Sequence, residues 1–377
     1  MAALRRGFVH PGVLVNKGML DFVKGKITQE PWKGALAKAQ ADSHGKTSYK
    51  PTKTVDVICF PSSGAGSVGC NEEKSDADAA YTHALLWYYT GNKANADKAM
   101  EIMDLYSSTT KEHSEDNAQL QSAWVASTFT RAAEIMRYSN AGWPDDKAAR
   151  FGDMLTNAYM PYIKDFSTRT GNWDASTIEA VMAIAVYNDD MATFQRAVAR
   201  WRLRVPAWAY LKSIDGAKPA QPPEKTLSDS ALKGYWINPT KYVDGLGQET
   251  CKDQPGDGTG GMGHEQYGLA ALINAAETAR IQGVDLFKEE QTRLVATLEF
   301  HAKHLDKSAS PDGLCENGIN GLTIDPMWEI AYNAYANVLG QSLPETLKVV
   351  TSKRPSGLDH HMVWETLTHG EIGSAGL

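Results

Sequence analysis

Three short clusters in this chain combine side chains that can hold an anion or move a proton. In Gly171-Asn172-Trp173-Asp174 an amide stands beside an indole. Asn172 can bind a carboxylate through that amide, or cap the helix that follows. In His264-Glu265-Gln266-Tyr267 an imidazole and a phenol lie three residues apart, which brings them together on one helical turn. That pair suits proton transfer at the mouth of a cavity and is otherwise a cap or a surface group. In Trp328-Glu329-Ile-Ala-Tyr332-Asn333-Ala-Tyr335 the aromatic residues share one stripe, flanked by Glu329 and Asn333. Such a stripe is either core packing or a wall for a flat ligand. Positive charge for an anionic ligand is available from Lys252, Arg169, Arg354, His360 and His361.

Other chemistries are excluded by what is missing. There is no G-x-x-x-x-G-K-[ST], no G-x-S-x-G and no H-E-x-x-H, because Gly263-His-Glu-Gln-Tyr-Gly268 lacks the second histidine. The glycines of 256–263 follow no strand, so they read as a loop and not as a phosphate cradle. No metal-ligand set or cofactor motif is recognisable, and none is expected. The 377 residues carry 38 Lys+Arg against 45 Asp+Glu, a net charge of −7, with no long basic run. Nucleic acid and anionic membrane surfaces are therefore not expected partners, and no apolar run reaches the roughly 18 to 20 residues that span a bilayer. The chain start is too short and polar for a secretory signal, and reads like a mature domain with an initiator Met attached. Taken alone, a missing signal points to the cytoplasm.

The elements that must position these clusters are helical. Three-to-four spacing of apolar residues predicts hairpins over 76–91 with 95–106, 116–141 with 146–159, and 174–187 with 191–205. Ser75 or Asp76, and then Asn95, are the predicted caps, and Pro161 the predicted stop of the fourth helix. Helices resume over 264–282, 285–304 and 326–339. Between them, residues 206–262 form a long inserted loop whose Trp208, Tyr210, Tyr235, Trp236 and Tyr242 predict packing and not disorder. Residues 1–75 read as an N-terminal arm with two short helices, over 11–24 and 31–41. Paired helices without a fixed repeat favour closure over a solenoid. The expected fold is all-α: one domain, a single α/α barrel or toroid of helical hairpins with long covering loops. The four cysteines lie in loops, and of three possible pairings Cys59 with Cys70 and Cys251 with Cys315 are expected.

Several of these segments together carry a resemblance. Asp76-Ala-Asp-Ala-Ala-Tyr81-Thr-His-Ala-Leu-Leu-Trp87, Asn117-Ala-Gln-Leu-Gln-Ser-Ala-Trp124, Arg131-Ala-Ala-Glu134, Gly171-Asn-Trp173, Lys252-Asp-Gln254, His264-x-x-Tyr267 and Trp328-Glu-Ile-Ala-Tyr332 resemble, in order and spacing, the alginate-lyase-like domain of bacterial polysaccharide lyases. The similarity runs over about 55–340 and is greatest to polysaccharide lyase family 38, which includes alginate and glucuronan (cellouronate) lyases. Family 5 alginate lyases carry Asn-Asn-His where this chain has Gly171-Asn172-Trp173, so His264 would have to substitute for the absent histidine.

The resemblance implies a lyase that cleaves a β-1,4-linked uronan, glucuronan or mannuronate-rich alginate, by β-elimination, leaving unsaturated uronate ends. It implies Tyr267 as proton shuttle with Tyr332 in reserve, Asn172 and His264 as donors to the substrate carboxylate, and an anionic polysaccharide as partner. Trp124, Trp173, Asn117, Lys252, Trp328, Glu329, His360 and His361 are then substrate-binding, and the location is secreted or periplasmic. The alternatives are an α/α-barrel glycoside hydrolase using Glu265 with Glu329 or Asp253 as paired carboxylates, or a non-catalytic protein that binds acidic polysaccharide.

Overall fold

The computed structural model describes residues 7–51, 54–169, 171–252, 262–305, 313–316 and 323–377. Most of the Gly-rich stretch 256–263 lies outside these, as do Asp253 and Gln254. Two short helices, α1 (Lys17–Lys26) and α2 (Trp32–Ala41), lead into the hairpin of α3 (Cys70–Thr90) and α4 (Lys93–Thr109). Next come α5 (Ala118–Tyr138) and α6 (Asp145–Met154), which continues through a π-helical turn (Leu155–Tyr159) into α7 (Met160–Ile163). The third hairpin is α8 (Asn172–Tyr187) with α9 (Met191–Arg204). After the short α10 (Lys212–Asp215) and α11 (Asp229–Tyr235) follow α12 (Gly263–Ile281), α13 (Leu286–Glu289), α14 (Gln291–Leu305) and α15 (Trp328–Tyr332). A π-helical segment (Asn333–Val338), α16 (Pro344–Lys353) and α17 (Glu365–His369) complete the helices. Among the described residues only short strands accompany them: β1 (Val57–Cys59) pairs parallel with β2 (Glu112–Ser114), and β3 (Leu358–Asp359) antiparallel with β4 (Met362–Val363).

The helices close a ring. α3 packs on α5, α5 on α8, α8 on α12, α12 on α15, α15 on α17, α17 on α1, and α1 back on α3. Outside it, α4 covers α3, α9 covers α8, and α16 covers α14 and α15. This division follows from composition. The inner helix α8 is buried along nearly its whole length and rich in small residues (Ala175, Ala180, Ala183, Ala185), so neighbours can approach it from every side. The outer α9 instead buries one stripe, Phe194, Ala197, Val198 and Trp201. The fold is the expected all-α toroid.

Several local expectations are corrected. α3 begins at Cys70, because Asp76 is not a cap: it is buried and accepts hydroxyl hydrogen bonds from Tyr49 (2.6 Å) and Tyr106 (2.9 Å). Asn92, not Asn95, caps α4. Pro161 does not stop the helix, since it falls in the first turn of α7, where its missing N–H costs nothing after the π-helical turn. α16 and α17 went unanticipated; α17 buries Glu365, Thr366, Thr368 and His369 and so has no apolar periodicity to read.

The insert behaves as its aromatic residues predict. Tyr210, Leu232, Tyr235, Trp236, Leu246 and Cys251 form a second core with Leu314 and Cys315. Arg293 anchors it to α14 by donating to the Ala209 carbonyl and the Asp215 carboxylate, both at 2.6 Å. The expected Cys251–Cys315 disulfide is present. The expected Cys59–Cys70 bond is not. Backbone hydrogen bonds between Cys59 and Val68 (2.9 and 3.0 Å) already close that loop. The Cys59 sulfur accepts from the Ser114 hydroxyl at 2.9 Å, while Cys70 is buried at the start of α3.

Two free thiols should therefore titrate per unfolded, unreduced chain. Reduction of Cys251–Cys315, which spans 64 residues, should lower stability by up to about 4 kcal/mol on chain-entropy grounds, measurable as a shift of the urea midpoint.

Candidate active site

Three distant parts of the chain meet around Tyr267, in the first turns of α12. Its hydroxyl donates to Asp359 Oδ2 at 3.1 Å. Asp359 ends β3 and also pairs through Oδ1 with His360 Nδ1. The two-residue turn His360-His361 then returns the chain into β4, with His360 at φ 50°. Trp124 of α5 packs edge-on against His360 (ring centroids 4.5 Å apart) and Tyr267 (5.9 Å). The Tyr267 and His360 rings themselves are 5.0 Å apart. Tyr267, His360 and Asp359 are half-buried, while Trp124 keeps 8% of its surface exposed.

His361 faces the opposite way. It is fully buried, and its Nε2 sits 3.2 Å from the Tyr267 carbonyl. Burial, reinforced by the Arg131 charge, pushes its imidazole down to about 3, so the ring is neutral. Arg131, also buried, donates to the His361 carbonyl at 2.6 Å and to Glu179 on α8. His361 is thus part of the support beneath the site and offers no surface to a sugar.

α3 contributes two groups that sequence reading missed. Lys74, Asp78, Trp124, Thr128 and His360 line one narrow hollow. The Lys74 ammonium lies 5.8 Å from the Trp124 ring centroid and 5.2 Å from that of Phe60, and pairs with no carboxylate among the described residues. Burial pushes the Asp78 carboxyl well above the usual range and the Asp359 charge adds to this, against the pull of Arg131 and Lys74. Asp78 is therefore biased toward its protonated, hydrogen-bond-donating form. Burial would raise Asp359 as well, but hydrogen bonds from His360 and Tyr267 outweigh it and hold that carboxyl below its usual range.

Asn172 is placed differently from expectation. It is the first residue of α8, and the capping position belongs to Gly171. Both its backbone N–H (2.6 Å) and its side-chain amide (3.0 Å) donate to Glu249, which also receives the Lys252 ammonium at 2.6 Å. Asn172, expected to donate to a substrate carboxylate, and Lys252, expected to bind substrate, are thus bound to a carboxylate of the protein. Asn172 Oδ1 is buried without a hydrogen-bond partner among the described residues. The Glu249 strap sits close: a Cβ on Gly171, whose φ is 66°, would lie 1.8 Å from Glu249 Cδ, and one on Gly247 would lie 1.4 Å from Glu265 Oε1. Only glycine fits at either position. Glu249 N–H in turn donates to Glu265 at 2.8 Å, which joins the starts of α8 and α12. His264 is half-buried beside this junction, and the Tyr267 ring packs against Trp124, His360 and His361.

The third cluster is mainly architectural. Trp328, 2% exposed, is core and has no face for a sugar. Glu329 is held by Arg354 at 2.7 and 2.9 Å and by the Thr366 hydroxyl at 2.9 Å, and so is not available to bind substrate. Tyr332 is half-buried at the end of α15, against the core. Glu265 is buried against the Glu249 N–H and, at 3.5 Å, His301. Glu265 and Glu329 are thus both committed to protein partners and do not form a hydrolase's carboxylate pair with each other; Asp253 lies outside the described residues. Trp173 stacks under the Arg169 guanidinium at 4.0 Å and lines an open groove of about 390 Å³ with Asp116, Ala118 and Tyr162. Asn117 lies between two of those residues, at the start of α5. Among the described residues no His, Cys, Asp and Glu cluster could hold a metal ion, and no helix is long and apolar enough to cross a membrane.

Residues 63–209 match the family model described as alginate lyase. No curated protein matches the chain. Among solved structures, alginate lyase A1-III from Sphingomonas species A1 has a TM-score of 0.66 at 13% identity, covering 97% of both chains. An alginate lyase from Bacteroides ovatus has a TM-score of 0.61 at 12% identity, covering 96% of this chain and 99% of that one. A histidine-to-alanine variant of A1-III, solved with a tetrasaccharide, has a TM-score of 0.66 at 14% identity over 97% of both chains. The chain is thus alginate-lyase-like in sequence over 63–209 and in fold over nearly its whole length.

Replacing Glu249 by Ala should strand the Lys252 ammonium and the Asn172 amide. Losing hydrogen bonds to a buried charged group costs about 2 to 4 kcal/mol, which urea unfolding of the purified variant would register.

Proposed function

We propose that this alginate-lyase-like chain is a polysaccharide lyase acting on a β-1,4-linked uronan. The observation that carries the reading is the convergence, at one end of the helical ring, of a phenol, an imidazole, an indole and a cation: Tyr267, His360, Trp124 and Lys74. β-Elimination needs the C5 proton removed, the uronate carboxylate neutralised as it takes on enediolate character, and the departing O4 protonated. Each demand has a suited group. Lys74 meets the carboxylate, with Asp78, whose burial favours the protonated form, beside it, and a single well-placed donor lowers a barrier by about 3 kcal/mol. Trp124 offers an apolar edge to a sugar ring. Tyr267 carries its proton, directed at Asp359, and delivers it to O4.

The finer substrate assignment is mannuronate-rich alginate or glucuronan. The relatives matched are alginate lyases by name, which supports the former. In both polymers H5 and O4 leave from one side of the ring, and both suit catalytic groups standing on one face. The net charge of −7 is no obstacle, since the local field of a cleft, and not the total charge, meets the ligand. The Cys251–Cys315 disulfide supports a secreted or periplasmic location.

The test is digestion of a panel of defined uronans. The expected result is products absorbing in the near ultraviolet through the new C4–C5 double bond; saturated products would point to hydrolysis, and retention without turnover to a binding protein. Tyr267→Phe should cut kcat by about 10² to 10⁴-fold with the fold intact by circular dichroism. Lys74→Met should lower kcat by about 10²-fold, the rate equivalent of that donor. Near-parental cleavage by Tyr267→Phe with loss in Tyr332→Phe would move the proton carrier to α15.

A further inference from the structure

We propose that His360 is the base that removes the C5 proton, an assignment that rests on the lyase reading and completes it. Tyr267 donates its hydroxyl proton to Asp359. In that state the phenol can give a proton to O4 but cannot accept one from C5. A second group is required on the same face. His361 is excluded by complete burial and by its Nε2 contact with the Tyr267 carbonyl. His360 qualifies on geometry: its ring centroid is 5.0 Å from that of Tyr267, and the ring edge is fixed by Trp124. Nδ1 is committed to Asp359, which leaves Nε2 as the nitrogen for substrate, the division of labour by which a carboxylate sets the tautomer of a catalytic imidazole. Asp359, bonded to both groups, is the positioning residue that holds acid and base in one frame.

The step balances. His360 Nε2 takes the C5 proton and the C5–H electron pair moves onto the carboxylate as an enediolate; that pair then returns to form the C4–C5 double bond as the C4–O4 bond breaks, and O4 leaves with the Tyr267 proton. The imidazolium and phenolate that remain stand beside one another, and transfer of a proton from the first to the second, directly or through water, restores the resting enzyme.

Isotope exchange separates the two proton carriers. In D₂O, with a β-1,4 mannuronan or glucuronan that the parent enzyme cleaves, Tyr267→Phe should stop cleavage yet still exchange hydrogen at C5 of the intact polymer, read by NMR. His360→Asn should abolish the exchange and lower kcat by about 10² to 10⁴-fold; Asn accepts the left-handed backbone at this turn, so the hairpin is kept. His360→Ala should recover part of its activity with added imidazole, which a purely structural role would not give. Absence of exchange in Tyr267→Phe, or His360→Asn turning over within about three-fold of the parent, overturns the assignment. If His264→Ala and not His360→Asn abolishes exchange, the base is His264. A parent enzyme that cleaves no uronan overturns the lyase reading, and this proposal with it.

Discussion

One buried guanidinium holds the candidate site together. Arg131, on α5, reaches Glu179 on α8 and the backbone carbonyl of His361, 230 residues later in the chain. A buried Arg left unpaired is strongly destabilising, so its partners are in effect obligatory. Because one of them is a main-chain carbonyl of the His360-His361 turn, the charge fixes a loop and not just a side chain. His361 then secures the same turn to α12 through the Tyr267 carbonyl. The chemistry follows from this: with the turn fixed against α5 and α12, Asp359 and His360 have no choice but to face Tyr267 and Trp124.

A second constraint works from the other side. Glu249 gathers Asn172, Lys252 and, through Glu265, the start of α12, so the insert is tied to the ring ends by charge-assisted hydrogen bonds. Two of the cations and donors that composition offers to a polyanion are thereby used up inside the protein. Arg354 is spent on Glu329 in the same way. Among the described residues Lys74, held between the Phe60 and Trp124 rings beside His360, pairs with no carboxylate. Many charged residues in this chain serve architecture, and the local field comes from the few that do not.

Much of the ring was legible because its signals are local. Apolar spacing marked the paired helices, Gly91 and the turn after Tyr187 ended them where the structure does, and the aromatic residues of 206–262 announced a packed insert. The site was legible in type more than in pairing. Tyr267, Trp124 and His360 are brought together, but periodicity cannot show that Asp359 meets Tyr267 across 92 residues, or that Glu249 meets Asn172 across 77. Lys74 and Asp78 stayed hidden for another reason: with the helix expected to start at 76, Lys74 fell in the N-terminal arm and Asp78 read as ordinary wall, whereas α3 begins at Cys70 and carries both. The Cys59–Cys70 expectation failed because loop position says nothing of where two sulfurs point.

The ring closes through partners far apart in sequence, Arg131 with His361 and Trp364 with Thr82, the latter 282 residues apart. Each helical hairpin can gather from neighbouring residues, whereas such closures bear the loop entropy of most of the chain. The order of assembly is then set by topology: secondary structure early, the Tyr267–Asp359–His360 grouping late. A refolding chain is expected to regain its helical circular dichroism well before it regains turnover.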